Sequence, residues 1–292
     1  MCNGAGCGAC VPTRRVTASL ESFAELLTRD HFSLARAGFL IAQDEYPELD
    51  PEQWMARLQA MADVVRTRIP ADAFAEQKVV ALNHYLFEEL GFRGNSEDYY
   101  DPRNSYLNEV MERRVGIPIT LSILYIEIGR QLGLRLYGLS FPGHFLVMLK
   151  LNRGNLILDP YAGGQPQSEP SLRARLRRAM QEREDTAVNL EHFLSPATSR
   201  DIVARLLRNL KHIYLERGEY DKALRVMQRM LLVVPESAEE LRDRGLIYAR
   251  LDCFRAAQGD LQNYLRRRPD AADAAEIHEK LVELKAASAR LN

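Results

Sequence analysis

Apolar residues recur every three to four positions along most of this chain, the spacing of amphipathic helices. Leu20, Phe23, Leu26 and Leu27 share one helical face, and Phe32, Ala35, Phe39 and Leu40 repeat the pattern. The segment Tyr46-Pro47-Glu48-Leu49-Asp50-Pro51 interrupts it and starts a new helix. Asp50 fits the N-cap, Pro51 the first helical position, and Gln53 the place where a capping box puts Glu or Gln. That helix carries Trp54, Leu58, Met61 and Val65 inward and stops near Ile69-Pro70. The next turns Val79, Leu82, Leu86 and Leu90 to the core and is closed by Gly91.

The period changes in the middle of the chain. Gly91 to Asn104 reads as a polar loop holding Tyr99, Tyr100 and Asp101, with Asn104 as the N-cap of a short helix that ends before Gly116. Pro118 opens a helix with Leu121, Leu124, Tyr125 and Ile128 on one face, and Gly133 closes it. Leu136 to Phe141, His144 to Leu151 and Leu156 to Leu158 then read as three strands, with Asn152-Arg153-Gly154-Asn155 as a turn. The class is α+β, a helix-rich core with a small antiparallel sheet.

The last third repeats itself. Tyr214, Tyr220, Ala223 and Pro235 are followed 34 residues later by Tyr248, Phe254, Ala257 and Pro269. That period and those residue types mark a tetratricopeptide repeat: aromatics fill the seam, Ala lets two helices approach, and Pro ends the second helix. Two repeats leave apolar faces uncovered. A helix over 273–289 is expected to cover one end and the preceding domain the other. The expected division is a Cys- and Gly-rich mobile tail over residues 1–15, a core over 16–195, and a repeat domain with its capping helix over 196–292.

Composition narrows the classes of function. With 39 Lys+Arg against 40 Asp+Glu, the net charge of −1 offers no global field for nucleic acid or an anionic membrane surface. No stretch of about 18 uncharged apolar residues suggests a membrane span. Met1 to Cys7 lacks the basic start and apolar run of a secretory signal. The expectation is a cytoplasmic protein with reduced thiols, binding neither nucleic acid nor membrane.

Chemistry concentrates between Asn104 and Gly164. Gly116-Ile117-Pro118 starts a helix, Pro142-Gly143-His144-Phe145 leads into a strand, and Leu158-Asp159-Pro160 ends the next. The order of helix start, His and Asp suits a thiol acyl-transfer site. A helix N-terminus lowers a thiol's pKa and stabilises an oxyanion, His takes the proton, and Asp fixes its tautomer. On Asn104-Ser105-Tyr106-Leu107, Gly116-Ile117-Pro118-Ile119, Phe141-Pro142-Gly143-His144-Phe145 and Leu158-Asp159-Pro160, the chain resembles the transglutaminase-like family. Within it, the resemblance is to the bacterial YchA subfamily, which carries tetratricopeptide repeats behind the core. It covers nearly everything after the first fifteen residues. It implies a papain-like core fold, with His144 and Asp159 at the positions of the family's catalytic His and Asp.

One departure decides the functional expectation. Counting back from Gly133, the family's Cys position falls at or beside Pro118, and no Cys lies between Cys10 and Cys253. Proline has neither a nucleophilic atom nor an N–H. Thr120 and Ser122 are the nearest substitute nucleophiles, further into the helix, and either needs His144 within about 3 Å. Three readings of His144 stay open: a buried structural histidine bonded to Asp159, a ligand-binding pair, or a catalytic dyad. Asp159 also serves as a turn former before Pro160.

The remaining signals are weaker. Cys2, Cys7 and Cys10 have part of a ferredoxin-like spacing but lack a fourth ligand, and Cys253 reads as a small core residue. The basic run Arg173, Arg175, Arg177, Arg178 and Arg183 is followed by Glu182, Glu184 and Asp185, which favours a solvated face or an acidic-partner contact. No metal-ligand spacing or phosphate loop is present, so no cofactor is expected. The functional expectation is a non-catalytic transglutaminase-like protein that binds a protein or peptide partner through its repeat groove. Its alternative is an amide hydrolase or acyl transferase using His144 and Asp159 with a non-cysteine nucleophile.

Overall fold

Capping residues set many element boundaries in the computed structural model, which describes residues 14–181 and 189–290. The expected tail with Cys2, Cys7 and Cys10, and the Arg183 end of the basic run, lie outside the described residues. Helix α1 spans Arg14–Leu26 and α2 spans Leu34–Ala42. Ser33 caps α2: its Oγ accepts from Arg36 N at 3.1 Å and donates to the buried Glu127 at 2.7 Å. Helix α3 (Pro51–Arg66) opens with Asp50 Oδ1 accepting from Glu52 N at 2.9 Å, and buries Leu58, Ala62 and Val65. Each large aliphatic buried this way contributes about 1.5–3 kcal/mol. Helix α4 (Ala75–Asn83) passes directly into a wider π-helical turn over His84–Glu89.

Strand β1 (Arg93–Gly94) pairs in parallel with β2 (Val115–Gly116), with α5 (Leu107–Arg113) between them in sequence. Tyr106, not Asn104, occupies the N-cap of α5, because Asn104 is drawn into the preceding loop by bonds described below. Helix α6 (Pro118–Gln131) is buried at every residue from Pro118 to Gly129. A helix apolar on nearly all sides belongs in the interior.

The sheet is antiparallel in the order β3 (Leu136–Leu139), β4 (Leu146–Lys150), β5 (Asn155–Asp159) and β6 (Gln165–Pro166). The first two strands are shorter than their apolar runs, because residues 141–144 form a turn in which His144 N donates to Phe141 O at 3.0 Å. His144 therefore stands just before β4 rather than on it. Helix α7 (Glu169–Met180) lays Leu172 and Leu176 on Leu139, Phe141, Leu146, Met148 and Ile157, while α6 packs against β3 and β4.

Packing divides the chain into residues 29–206 and residues 14–28 with 207–290, the division falling within α8 (Ser199–Glu216). Residues 16–28, grouped by pattern with the core, thus pack with the repeats. The reason is Arg229 in α9 (Tyr220–Val233), only 1% exposed. Its guanidinium lies 5.0 Å from the Phe23 ring centre and donates to Ser19 Oγ at 2.8 Å.

Helices α10 (Ala238–Arg250), α11 (Phe254–Arg267) and α12 (Ala274–Arg290) complete the repeat unit. The 34-residue period is visible in the backbone itself. Glu219 N donates to Tyr214 O at 2.9 Å, and Cys253 N to Tyr248 O at 2.9 Å. Gly218 and Asp252 both take left-handed φ values, 68° and 55°. Ala223 and Ala257 are both fully buried, and α12 lays Ile277, Leu281 and Leu284 on Ala257, Leu261 and Tyr264 of α11.

Candidate functional site

The pairing of β4 and β5 brings His144 and Asp159 together. Val147 faces Leu158, and continuing that register sets Leu146 opposite Asp159, with His144 in the turn two residues before it. His144 Nε2 lies 2.9 Å from both Asp159 oxygens, and the two residues are 7% and 1% exposed. Arg175 Nη2 donates to Asp159 Oδ2 at 3.2 Å, and Tyr161 N donates to Oδ1 at 3.1 Å. The carboxylate thus accepts from the His144 ring, the Arg175 guanidinium and the Tyr161 N–H together. No described residue hydrogen-bonds to Nδ1.

Two further arginine and tyrosine contacts hold this pair. Arg205, from the first half of α8, donates to His144 O at 2.7 Å, Phe141 O at 3.1 Å and Ser140 Oγ at 2.7 Å. It thereby fixes the turn that carries the histidine. The Tyr161 ring meets His144 edge-on at 5.8 Å, and its hydroxyl donates to Asn95 O at 3.1 Å. A Cβ on Gly94 would stand 2.3 Å from that ring, so the absence of a side chain at residue 94 lets the tyrosine lie there. Burial, with the nearby Asp159 charge, pushes the Tyr161 hydroxyl above its ordinary pKa.

At the start of α6, Pro118 is buried in the first turn. Thr120 is fully buried and its hydroxyl is engaged: it accepts from Ile117 N at 3.1 Å and lies 2.8 Å from Asn104 O. Ser122 is also fully buried, and its Oγ has no hydrogen-bond partner among the described residues. Neither hydroxyl hydrogen-bonds to His144. The structure thus joins His144 to Asp159 and leaves Thr120 and Ser122 outside that hydrogen-bonded network.

Asn104 anchors the preceding loop. Its Nδ2 donates to Asp98 O at 2.7 Å, and its Oδ1 accepts from Asn95 Nδ2 at 3.1 Å. Asp101 accepts from Arg103 N at 2.9 Å and pairs with Arg103 and Arg113. Among the described residues, no three His, Cys, Asp or Glu side chains gather as a metal site, and no helix is long and apolar enough to cross a membrane.

Arg175 belongs to the basic run for which the sequence suggests a solvated face or an acidic-partner contact; here it reaches a carboxylate of its own chain, Asp159. Its signal was its place three residues after Leu172 and one before Leu176, beside the apolar stripe. Arg205 and Tyr161 carried no local signal, since each acts on a residue far away in the chain or through an edge contact.

Comparison with known proteins agrees with this architecture. Residues 52–208 match the transglutaminase-like superfamily and residues 210–281 match the tetratricopeptide repeat. A UPF0162 protein of Xylella fastidiosa is 41% identical over 251 residues, 86% of this chain and 89% of that one. The UPF0162 protein YchA of Escherichia coli is 27% identical over 231 residues, 78% of this chain and 81% of its own. A crystal structure of menin aligns with 95% of this chain and 76% of its own at a TM-score of 0.40 and 14% identity. A transglutaminase-like match over more than half the chain, a repeat match behind it and near full-length UPF0162 relatives lead to one conclusion: the chain belongs to the YchA-type UPF0162 family of transglutaminase-like proteins with tetratricopeptide repeats.

Proposed function

We propose that this is a non-catalytic transglutaminase-like protein, acting in protein–protein interaction or regulation through its repeat groove. The observation that carries the reading is the start of α6. Pro118 offers no nucleophile, the Thr120 hydroxyl is bonded to backbone, and the Ser122 hydroxyl is fully buried. A buried His144 bound to Asp159 and fastened by Arg205 then serves as a structural clasp. In this reading the partner is a protein or peptide, the setting is the cytoplasm, and no cofactor takes part.

The Nδ1 of the buried His144, to which no described residue hydrogen-bonds, favours a second reading. An acceptor nitrogen beside a fixed carboxylate is the arrangement of a general base, which would make the protein an amide hydrolase or acyl transferase acting through His144 and Asp159 with Thr120, Ser122 or water.

One experiment separates the two. The full chain is incubated with a glutamine-donor peptide, a fluorescent amine and an activated acyl ester, and followed by turnover and intact mass. The expected result is neither adduct nor turnover, with partner capture unchanged in His144→Ala. A covalent adduct within residues 104–164, or turnover lost in a folded His144→Ala variant, would overturn the non-catalytic reading.

A further inference from the structure

Positions 34 residues apart in the repeat unit do equivalent work twice, and at the third place no described helix covers the side chain. Tyr214 is 1% exposed, and Tyr248 packs in the cluster that holds Ala257 and Leu261 of α11. The next residue in this series is Val282, which is 67% exposed. It lines an open groove of about 490 Å³ between α11 and α12, together with Gln262, Leu265, His278, Leu281 and Lys285. Among the described residues, no helix follows α12.

One repeat earlier, the same positions show what such a face receives. Tyr248 corresponds to Val282 and Arg244 to His278 by the 34-residue step. Tyr248 lies under α11, and Arg244 binds Asp260 of α11 through Nε at 2.6 Å and Nη2 at 2.8 Å. The covering helix therefore brings small and branched apolar side chains to the aromatic and a carboxylate to the cation. At the α11–α12 groove the charged rim is Lys285, beside His278, and no carboxylate lines it. Neither residue makes an ion pair among the described residues. Apolar floor and basic rim together specify an occupant with an apolar stripe and an acidic flank.

We propose that the α11–α12 groove binds an amphipathic, acidic helix of a partner protein, which takes the place of the second helix of a third repeat. The occupant's apolar stripe lies on Leu265, Leu281 and Val282, and its carboxylates face Lys285 and His278. The proposal rests on the reading of the repeats as an interaction module and adds to it a location and a partner chemistry.

The probe is a fluorescent peptide of residues 254–267, the second-helix pattern of this chain, carrying Arg255→Glu, Arg266→Glu and Arg267→Glu. Fluorescence anisotropy follows its titration with the full chain. Saturable binding is expected, weakened at least about tenfold by Val282→Asp and about fivefold by Lys285→Glu. The unaltered peptide, with its arginines, is expected to bind more weakly than the acidic one and to gain affinity in Lys285→Glu. Val282 is exposed, so Val282→Asp retains the fold, which circular dichroism checks.

Absence of saturable binding, or binding indifferent to Val282→Asp, overturns the proposal. So does a concentration-dependent dimer of the full chain that Val282→Asp dissolves, which assigns the groove to a second copy. These failures differ from failure of the interaction reading. A partner captured equally by the full chain and Val282→Asp removes the groove but keeps the interaction role, whereas His144-dependent acyl transfer removes the non-catalytic reading without touching the groove.

Discussion

Around His144 the chain binds its own reactive groups, whereas at α12 it leaves an apolar side chain and a cation facing outward. Asp159 receives His144, Arg175 and the Tyr161 N–H, and Thr120 is taken up by the backbone of Ile117 and Asn104. At the end of the repeats, Val282 and Lys285 line a groove that no described helix covers. His144, Asp159 and Thr120 are therefore hydrogen-bonded within the chain, while the exposed residues at α12 are chemically plain ones. Residue type alone would have ranked the two regions the other way.

The sharpest way to break this comparison is to remove Asp159. Asp159→Ala leaves His144 and Arg175 without their carboxylate in a buried site, and is expected to cost about 3–5 kcal/mol in urea unfolding. A loss below about 1 kcal/mol would mean that the pair is solvated and the site open.

Within the repeats, Tyr248→Ala and Val282→Ala test two occupants of one repeat position. The tyrosine, packed against α11, is expected to cost about 2–4 kcal/mol, and the exposed valine less than about 0.5 kcal/mol. Equal costs in denaturant titration would show that Val282 is already covered.

The smallest effect is expected in acid. Burial pushes the Asp101 carboxyl up, but hydrogen bonds from Arg103 and the charges of Arg103 and Arg113 outweigh it and hold the group below its ordinary 3.8. Asp273, through its bonds with Tyr264 and Arg242, is lowered as well. A carboxyl depressed in the folded state contributes stability that is fully present above its unfolded pKa and is lost as pH falls through the folded value. Asp101→Asn and Asp273→Asn are each expected to flatten the decline in stability below about pH 4, read from unfolding midpoints across pH. An unchanged acid limb in both variants would remove these carboxylates from the balance.

Local chemistry made much of the fold legible. Asp50-Pro51 begins α3 because a carboxylate cap and a proline suit a helix start wherever they occur, and the 34-residue period survives because each repeat solves the same packing problem. His144 and Asp159 were legible as a pair because the hairpin register brings the residues just before β4 beside the end of β5. What sequence did not display depends on distant partners. Phe23 looks like any core aromatic until Arg229, over two hundred residues away, lies against it. The two-residue strands β1 and β2 are too short to carry a period. Asn104 has the chemistry of an N-cap, but Asp98 and Asn95 compete successfully for its amide.

The matched turns at Gly218-Glu219 and Asp252-Cys253 bear on how such a chain changes length over evolutionary time. Their backbones have nearly the same dihedral angles, with φ of 68° and 55° at the first residue and −82° and −84° at the second. A copied block of one period therefore enters and leaves in the same direction as the original, and its junctions need no new turn. Gene-level duplication could extend the array while moving the uncovered last face outward intact, so that array size and end-surface specificity can be selected separately.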